Sequence, residues 1–152
     1  MVKRMVDRNI YSSETAEIIL VTSSVLGEGK TTYAMSLART LAQAGKNTIL
    51  VDMDLRSPSV GRRTGLPESD GVAKFLAGES DVSPTDSLAG SQHVDELFAL
   101  LSQRFDYVIV DSAPVHSVVD ALYLAEHADK VHFLVRWAST KRPVVEMGYA
   151  AL

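Results

Sequence analysis

The run Ser23-Ser24-Val25-Leu26-Gly27-Glu28-Gly29-Lys30-Thr31-Thr32 has the residue types and spacing that phosphate binding requires. From Gly29 onward it matches G-x-x-x-x-G-K-[ST], the Walker A pattern, with Ser24 at the first glycine position. Glycines at 27 and 29 can turn successive backbone N–H groups inward around phosphate oxygens, because a residue without Cβ enters the left-handed region at little cost. A helix starting near Lys30 adds its positive dipole end. Lys30 would neutralise the β- and γ-phosphates, and the Thr31 hydroxyl would ligate Mg²⁺. The expected nucleotide-binding residues are therefore Ser24, Gly27, Glu28, Gly29, Lys30, Thr31 and Thr32. A glycine-rich turn that merely caps a helix is the plainer reading. It leaves Gly-Lys-Thr-Thr between a strand and a helix unexplained.

Two further apolar runs end in carboxylates. Ile49-Leu50-Val51 leads into Asp52, Asp54 and Arg56 at two-residue intervals. If the extended backbone continues, all three side chains point the same way. Carboxylates at the C-terminal end of a parallel strand face the ligand crevice. There they could hold Mg²⁺ through water or accept a proton from an attacking hydroxyl; a solvated strand-to-loop turn would read alike. Tyr107-Val108-Ile109-Val110 delivers Asp111 in the manner of a Walker B strand, towards the metal's outer shell, and Pro114 then turns the chain away. Asp120 reads as an N-terminal carboxylate of the next helix. The three strand ends converge on a magnesium–nucleoside triphosphate complex.

The elements that must position these residues are legible in the hydrophobic pattern. Glu17–Thr22, Asn47–Val51, Tyr107–Val110 and Val131–Val135 are apolar at successive positions, as strands covered on two faces are. Thr31–Ala44 has a helical apolar stripe (Ala34, Leu37, Ala38, Leu41) and ends at Gly45, a natural cap. Val94–Arg104, Val118–Glu126 and Lys141–Leu152 read as helices too, the last starting near Pro143. The alternation predicts an α/β fold, a P-loop NTPase-like parallel sheet of about four to five core strands with helices on both faces. Ser57–Gly90, rich in Ser, Gly, Pro and Asp, reads as a surface excursion with one short helix at Val72–Ala77.

Length and composition set the outer bounds. The 152 residues, 46% of them hydrophobic, suit one nucleotide-binding domain spanning residues 1–152. Fifteen Lys and Arg against 19 Asp and Glu give a net charge of −4, which disfavours a nucleic-acid partner. With no cysteine there is no disulfide, thiolate metal site or cysteine nucleophile, a usage that fits a cytoplasmic chain. No stretch approaches the ~20 apolar residues of a membrane span. The basic N-terminus lacks the apolar region of a signal peptide. The four histidines (93, 116, 127 and 132) lack metal-ligand spacing and read as surface or packing residues. Trp137, after the last strand, is either a cover for the nucleotide base or an interface aromatic.

Together, the glycine-rich run, ILVDMDLR and VIVDSAP resemble the bacterial tyrosine kinases of capsule and exopolysaccharide synthesis, across roughly residues 17–66 and 104–147. That family carries a Walker A, a second acidic motif of the form hhhDxDxR and a Walker B of the form hhhDxxP. The resemblance implies an ATP- and Mg²⁺-dependent protein-tyrosine autokinase. Lys30, Asp52, Asp54 and Arg56 would form its catalytic set, and Thr31, Asp52 and Asp111 its metal set. Either Asp52 or Asp54 would activate the tyrosine hydroxyl, with Asp54 preferred. Arg56 would support the transferring phosphate or only pin the loop.

Implied partners are the cytoplasmic segment of a membrane polysaccharide copolymerase, further copies of the chain, and tyrosine-containing proteins. Implied location is the inner membrane face, reached through a partner. The chain stops at Leu152, before the strand that helps form the family's base pocket, so a sheet truncated relative to the family's is expected. The five tyrosines, at 11, 33, 107, 123 and 149, form no C-terminal cluster. Two alternatives stand beside the kinase. One is a partition-type ATPase switch, although that branch has a signature lysine where this chain has Val25. The other is a scaffold that kept the fold and lost the reaction.

Overall fold

The computed structural model describes residues 16–65, 92–117 and 120–152. Strands β1 (Glu17–Ser23), β2 (Thr48–Asp52), β3 (Tyr107–Asp111) and β4 (Lys130–Leu134) form a sheet in the order β2-β3-β1-β4, parallel throughout. Helices α1 (Lys30–Gln43), α2 (Val60–Thr64), α3 (Gln92–Ser102), α4 (Asp120–Glu126) and α5 (Arg142–Ala150) complete the described elements. β1 is buried beyond its first residue, because the sheet is covered on both sides.

Alternation along the strands divides the apolar side chains between two cores. Ile18 and Leu20 of β1, with Val51, Met53, Val108 and Val110, pack against Val94, Leu97 and Phe98 of α3 and Leu124 of α4. Ile19, Val21 and Ile109 face the other way, onto Ala34, Leu37, Ala38 and Leu41 of α1. Full burial of a side chain such as Leu20 or Ile109 contributes about 1.5–3 kcal/mol. These two layers fix the C-terminal ends of β1, β2 and β3 side by side.

Strands and helices fall within about two residues of the positions read from the pattern. α1 ends at Gln43, and Gly45 follows in the left-handed region (φ 80°) while its N–H donates to the Ala42 carbonyl. Two local expectations are corrected. The extended backbone after β2 does not reach Arg56: the Ser57 N–H donates to the Asp54 carbonyl at 3.1 Å, closing a turn in which Arg56 lies exposed. The segment after Ser57 also begins with α2, a helix absent from the reading of an irregular excursion. Asp52 holds it in place, its Oδ2 accepting the N–H groups of Ser59 (2.8 Å) and Val60 (2.9 Å), and Gly65 at φ 71° ends it. The expected helix at Val72–Ala77 lies outside the described residues.

Candidate nucleotide-binding site

Between β1 and α1 the backbone bends twice through the left-handed region, at Gly27 (φ 81°) and Gly29 (φ 91°). A Cβ built at either would meet nothing within 4 Å, so conformation and not crowding requires glycine there. Gly29 occupies the N-cap position of α1 with no side chain capping it. The first N–H groups of the helix are thereby left to an incoming anion.

The loop is stitched on both flanks. Ser23 Oγ donates to the Val25 carbonyl (2.8 Å), and the Val115 N–H donates to the Ser23 carbonyl (2.9 Å), tying the loop to the segment after β3. Ser24 is fully buried, and its Oγ has no hydrogen-bond partner. Gly148 of α5 lies directly against it; a Cβ at Gly148 would come within 2.7 Å of Ser24 Oγ and 3.1 Å of Phe133.

Lys30 is only 7% exposed. Burial pushes its pKa down, opposed by the carboxylates of Asp111, Asp54 and Glu28. Asp111 is 1% exposed, and its Oδ1 has no hydrogen-bond partner. Burial raises its pKa to about 6; a hydrogen bond from Thr31 and the Lys30 charge act the other way, while Asp52 and Asp54 push it further up. An orphaned carboxylate oxygen beside a threonine hydroxyl offers the oxygen donors that a hard divalent cation takes, while the neighbouring lysine suits the phosphates that accompany it. Among the described residues, no three His, Cys, Asp or Glu side chains form a ready metal cluster. Mg²⁺ needs none, since it is held by one or two carboxylates together with water and phosphate oxygens.

Asp52 and Asp111 are register partners on adjacent strands, and Asp54 lies two residues beyond the end of β2. Asp52 has both oxygens committed to backbone: Oδ1 accepts the Asp54 N–H (3.2 Å), and Oδ2 accepts those of Ser59 and Val60. Asp54 Oδ1 accepts the Ser57 N–H at 3.2 Å. Arg56 follows within the turn closed by Asp54 and Ser57 and is exposed.

α2 reaches back to the loop. Thr31 Oγ1 and Ser59 Oγ are 2.9 Å apart, and Arg63 Nη1 donates to Thr32 Oγ1 at 2.9 Å. Sequence reasoning missed Ser59 and Arg63, because a five-residue helix is too short to show periodicity. Glu28, between the two left-handed glycines, is 8% exposed. Its Oε2 accepts the Val25 N–H (3.0 Å), while Oε1 accepts the Thr140 hydroxyl (2.6 Å) and the Arg136 N–H (3.3 Å). Trp137, 93% exposed, borders a cavity of about 260 Å³ with Val135, Thr140, Arg142 and Val145.

A left-handed double-glycine loop, a buried lysine and an aspartate at the end of the neighbouring parallel strand define a class of nucleotide site. The family model that matches, ParA, described as NUBPL iron-transfer P-loop NTPase, spans residues 14–135. The chain belongs to this P-loop NTPase family.

The relatives of this P-loop NTPase include the tyrosine-protein kinase CpsD of Streptococcus pneumoniae. That protein is 32% identical over an alignment of 141 positions, gaps included, that covers 78% of this chain and 62% of CpsD. The chain thus spans less than two thirds of that relative's length. The succinoglycan biosynthesis transport protein ExoP of Rhizobium meliloti is 32% identical over an alignment of 163 positions, gaps included, that covers 91% of this chain and 21% of ExoP. The crystal structure of the VpsO kinase domain superposes with a TM-score of 0.77 at 30% identity, covering 89% of this chain and 77% of that one. A plasmid partition protein of Borrelia burgdorferi, solved with AMPPNP, reaches 0.58 at 19% identity over 89% of this chain and 69% of its own, a likeness of fold alone. This P-loop NTPase is a homologue of the bacterial tyrosine kinases, as its motifs implied.

Proposed function

We propose that this P-loop NTPase binds Mg·ATP and transfers the γ-phosphoryl group to tyrosine hydroxyls, in capsular or exopolysaccharide synthesis and export. The observation that carries the reading is the buried Asp111 carboxylate, one oxygen unpartnered, set among Lys30, Thr31, Asp52 and Asp54. Thr31 and Asp111 would hold the metal, with Asp52 at its outer edge. Mg²⁺ there supplies neutralisation of the phosphate charge. The N–H groups of the loop and of the first turn of α1 would cradle the phosphates, and Lys30 would balance their charge. Ser59 fixes the rotamer of Thr31 through the 2.9 Å contact of their hydroxyls.

Asp54 is the base in this reading, because both Asp52 oxygens already accept backbone hydrogen bonds. In the transfer, Asp54 takes the phenol proton, the tyrosine oxygen bonds to the γ-phosphorus, and the bond from that phosphorus to the bridging oxygen breaks. ADP is the leaving group. Such a reaction needs positioning and charge stabilisation more than covalent chemistry.

The name of ExoP, a succinoglycan biosynthesis transport protein, supports the polysaccharide context. Activation by the cytoplasmic segment of a membrane copolymerase, self-association and a cytoplasmic location at the membrane face belong to the same reading. Among the described residues, no helix is long and apolar enough to cross a membrane. A partition-type ATPase is disfavoured by Val25 at the signature-lysine position. Incubation with γ-labelled ATP and Mg²⁺, a tyrosine-rich acceptor peptide and an activator fragment tests the proposal. Label on tyrosine that depends on Lys30 is the expected result. Free phosphate without protein label would assign the ATPase instead, and neither product would reject both reactions.

A further inference from the structure

Glu28 is a carboxylate inside a loop shaped to receive anions, and the structure gives it work to do elsewhere. Burial favours its neutral form, but hydrogen bonds from Thr140, Val25 and Arg136 outweigh burial and hold its pKa below the usual range. The ionised group is therefore fully engaged, one oxygen within its own loop and the other on the segment after β4. That segment is a compact turn: the N–H groups of Ser139 and Thr140 both donate to the Arg136 carbonyl, and Ala138 lies in the left-handed region (φ 56°). The two hydrogen bonds tie Ser139 and Thr140 to Arg136. The turn carries Trp137, the chain's single tryptophan.

We infer that Glu28 and Thr140 are positioning residues: their hydrogen bond couples phosphate occupancy of the loop to the Arg136–Thr140 turn and so to Trp137. The inference rests on the nucleotide-site reading above, since an anion must enter the loop for the coupling to act. An anion settling between Gly27 and Lys30 repels the Glu28 carboxylate and draws on Lys30, which also feels the Glu28 charge. Any adjustment of the two glycines displaces the base of the Glu28 side chain. The short bond to Thr140 then transmits it across 112 residues of sequence. The charge-assisted character of that bond makes it the stiff link of the assembly. Coupling is reciprocal, so loosening the turn also weakens phosphate binding.

The test uses the intact chain and Mg·ADP as the probe, with affinity from calorimetry and Trp137 emission recorded in parallel. Wild type is expected to bind and to change emission. Thr140→Val, which keeps the shape and removes the donor, is expected to lose the emission change and about ten-fold in affinity. Thr140→Ser should restore both, which a role in packing alone would not predict. Should Thr140→Val fail to fold by circular dichroism, Glu28→Gln carries the test, because an amide cannot supply acceptors on both sides. Wild type that binds without an emission change overturns the inference and leaves the nucleotide site standing. So does a wild-type emission change in Thr140→Val. Wild type that does not bind overturns both.

Discussion

Asp52 and Asp111 are paired in register at the carboxyl ends of β2 and β3, yet the fold treats their carboxylates in opposite ways. Asp52 accepts three backbone N–H groups and so anchors α2, whereas Asp111 is buried with Oδ1 unsatisfied. One carboxylate anchors the backbone, and the other keeps an oxygen without a hydrogen-bond partner.

Asp111 makes the stability of the nucleotide-free protein depend on pH. Its folded pKa is raised to about 6 from 3.8, so the group favours the folded state when protonated. That stability is present below about pH 4 and is lost as pH rises through 6. The shift corresponds to about 3 kcal/mol. Asp111→Asn should therefore be more stable than wild type at pH 7 by up to that order, and the gap should close towards pH 4. Thermal melts of both proteins across this range, without nucleotide, would measure it; a gap that ignores pH would contradict the assignment.

Lys30→Met should abolish transfer and lower nucleotide affinity by about a hundred-fold, the scale of losing one partner of a buried charge pair. Calorimetry with Mg·ADP reads the affinity separately from the chemistry. Affinity within two-fold or so of wild type would remove Lys30 from the phosphate site.

The two carboxylates of the second acidic motif should separate by readout. Asp54→Asn should cost about 10²–10⁴ in transfer while leaving Mg·ADP affinity nearly unchanged, as expected of a base. Asp52→Ala should cost about 1–2 kcal/mol through loss of the α2 anchor, with faster amide exchange at Ser59 and Val60. The reverse pattern would exchange their roles.

Much of this site could be read from the sequence because its chemistry is local. Gly29-Lys30-Thr31 opens the helix that follows one apolar strand and Asp111 ends another, and the spacing alone says what they face. Asp52 and Asp54 could not be told apart that way, since period-two alternation aims both alike; the hydrogen bonds from residues 59 and 60 distinguish only their surroundings. The expectation that Arg56 points the same way did not hold for a related reason, because the turn closed by Asp54 and Ser57 interrupts the alternation. Thr140 gave no signal at all. Its partner is 112 residues away, and contact at that separation is a property of the assembled sheet.

Gly148 offers a test of how α5 meets the loop. Gly148→Ala should destabilise the chain by about 1–3 kcal/mol through overpacking against Ser24 and Phe133. Adding Ser24→Gly removes the nearest atom and should recover most of the loss in thermal melts. No recovery would mean that Phe133, not Ser24, sets the approach.

The strand order also governs when the site can come into being. β1 and β2 are consecutive in the chain but are not neighbours in the sheet; β3 lies between them. A nascent chain that has emerged only through α2 holds the glycine loop and Asp52, yet has no strand to join their supports. The pairing that aligns them spans more than fifty residues, a non-local closure that slows folding. Completion falls to β3, the same strand that ends in Asp111. The strand that ends in Asp111 is thus also the one that joins the supports of the glycine loop and of Asp52, so the three cannot be aligned before β3 has entered the sheet.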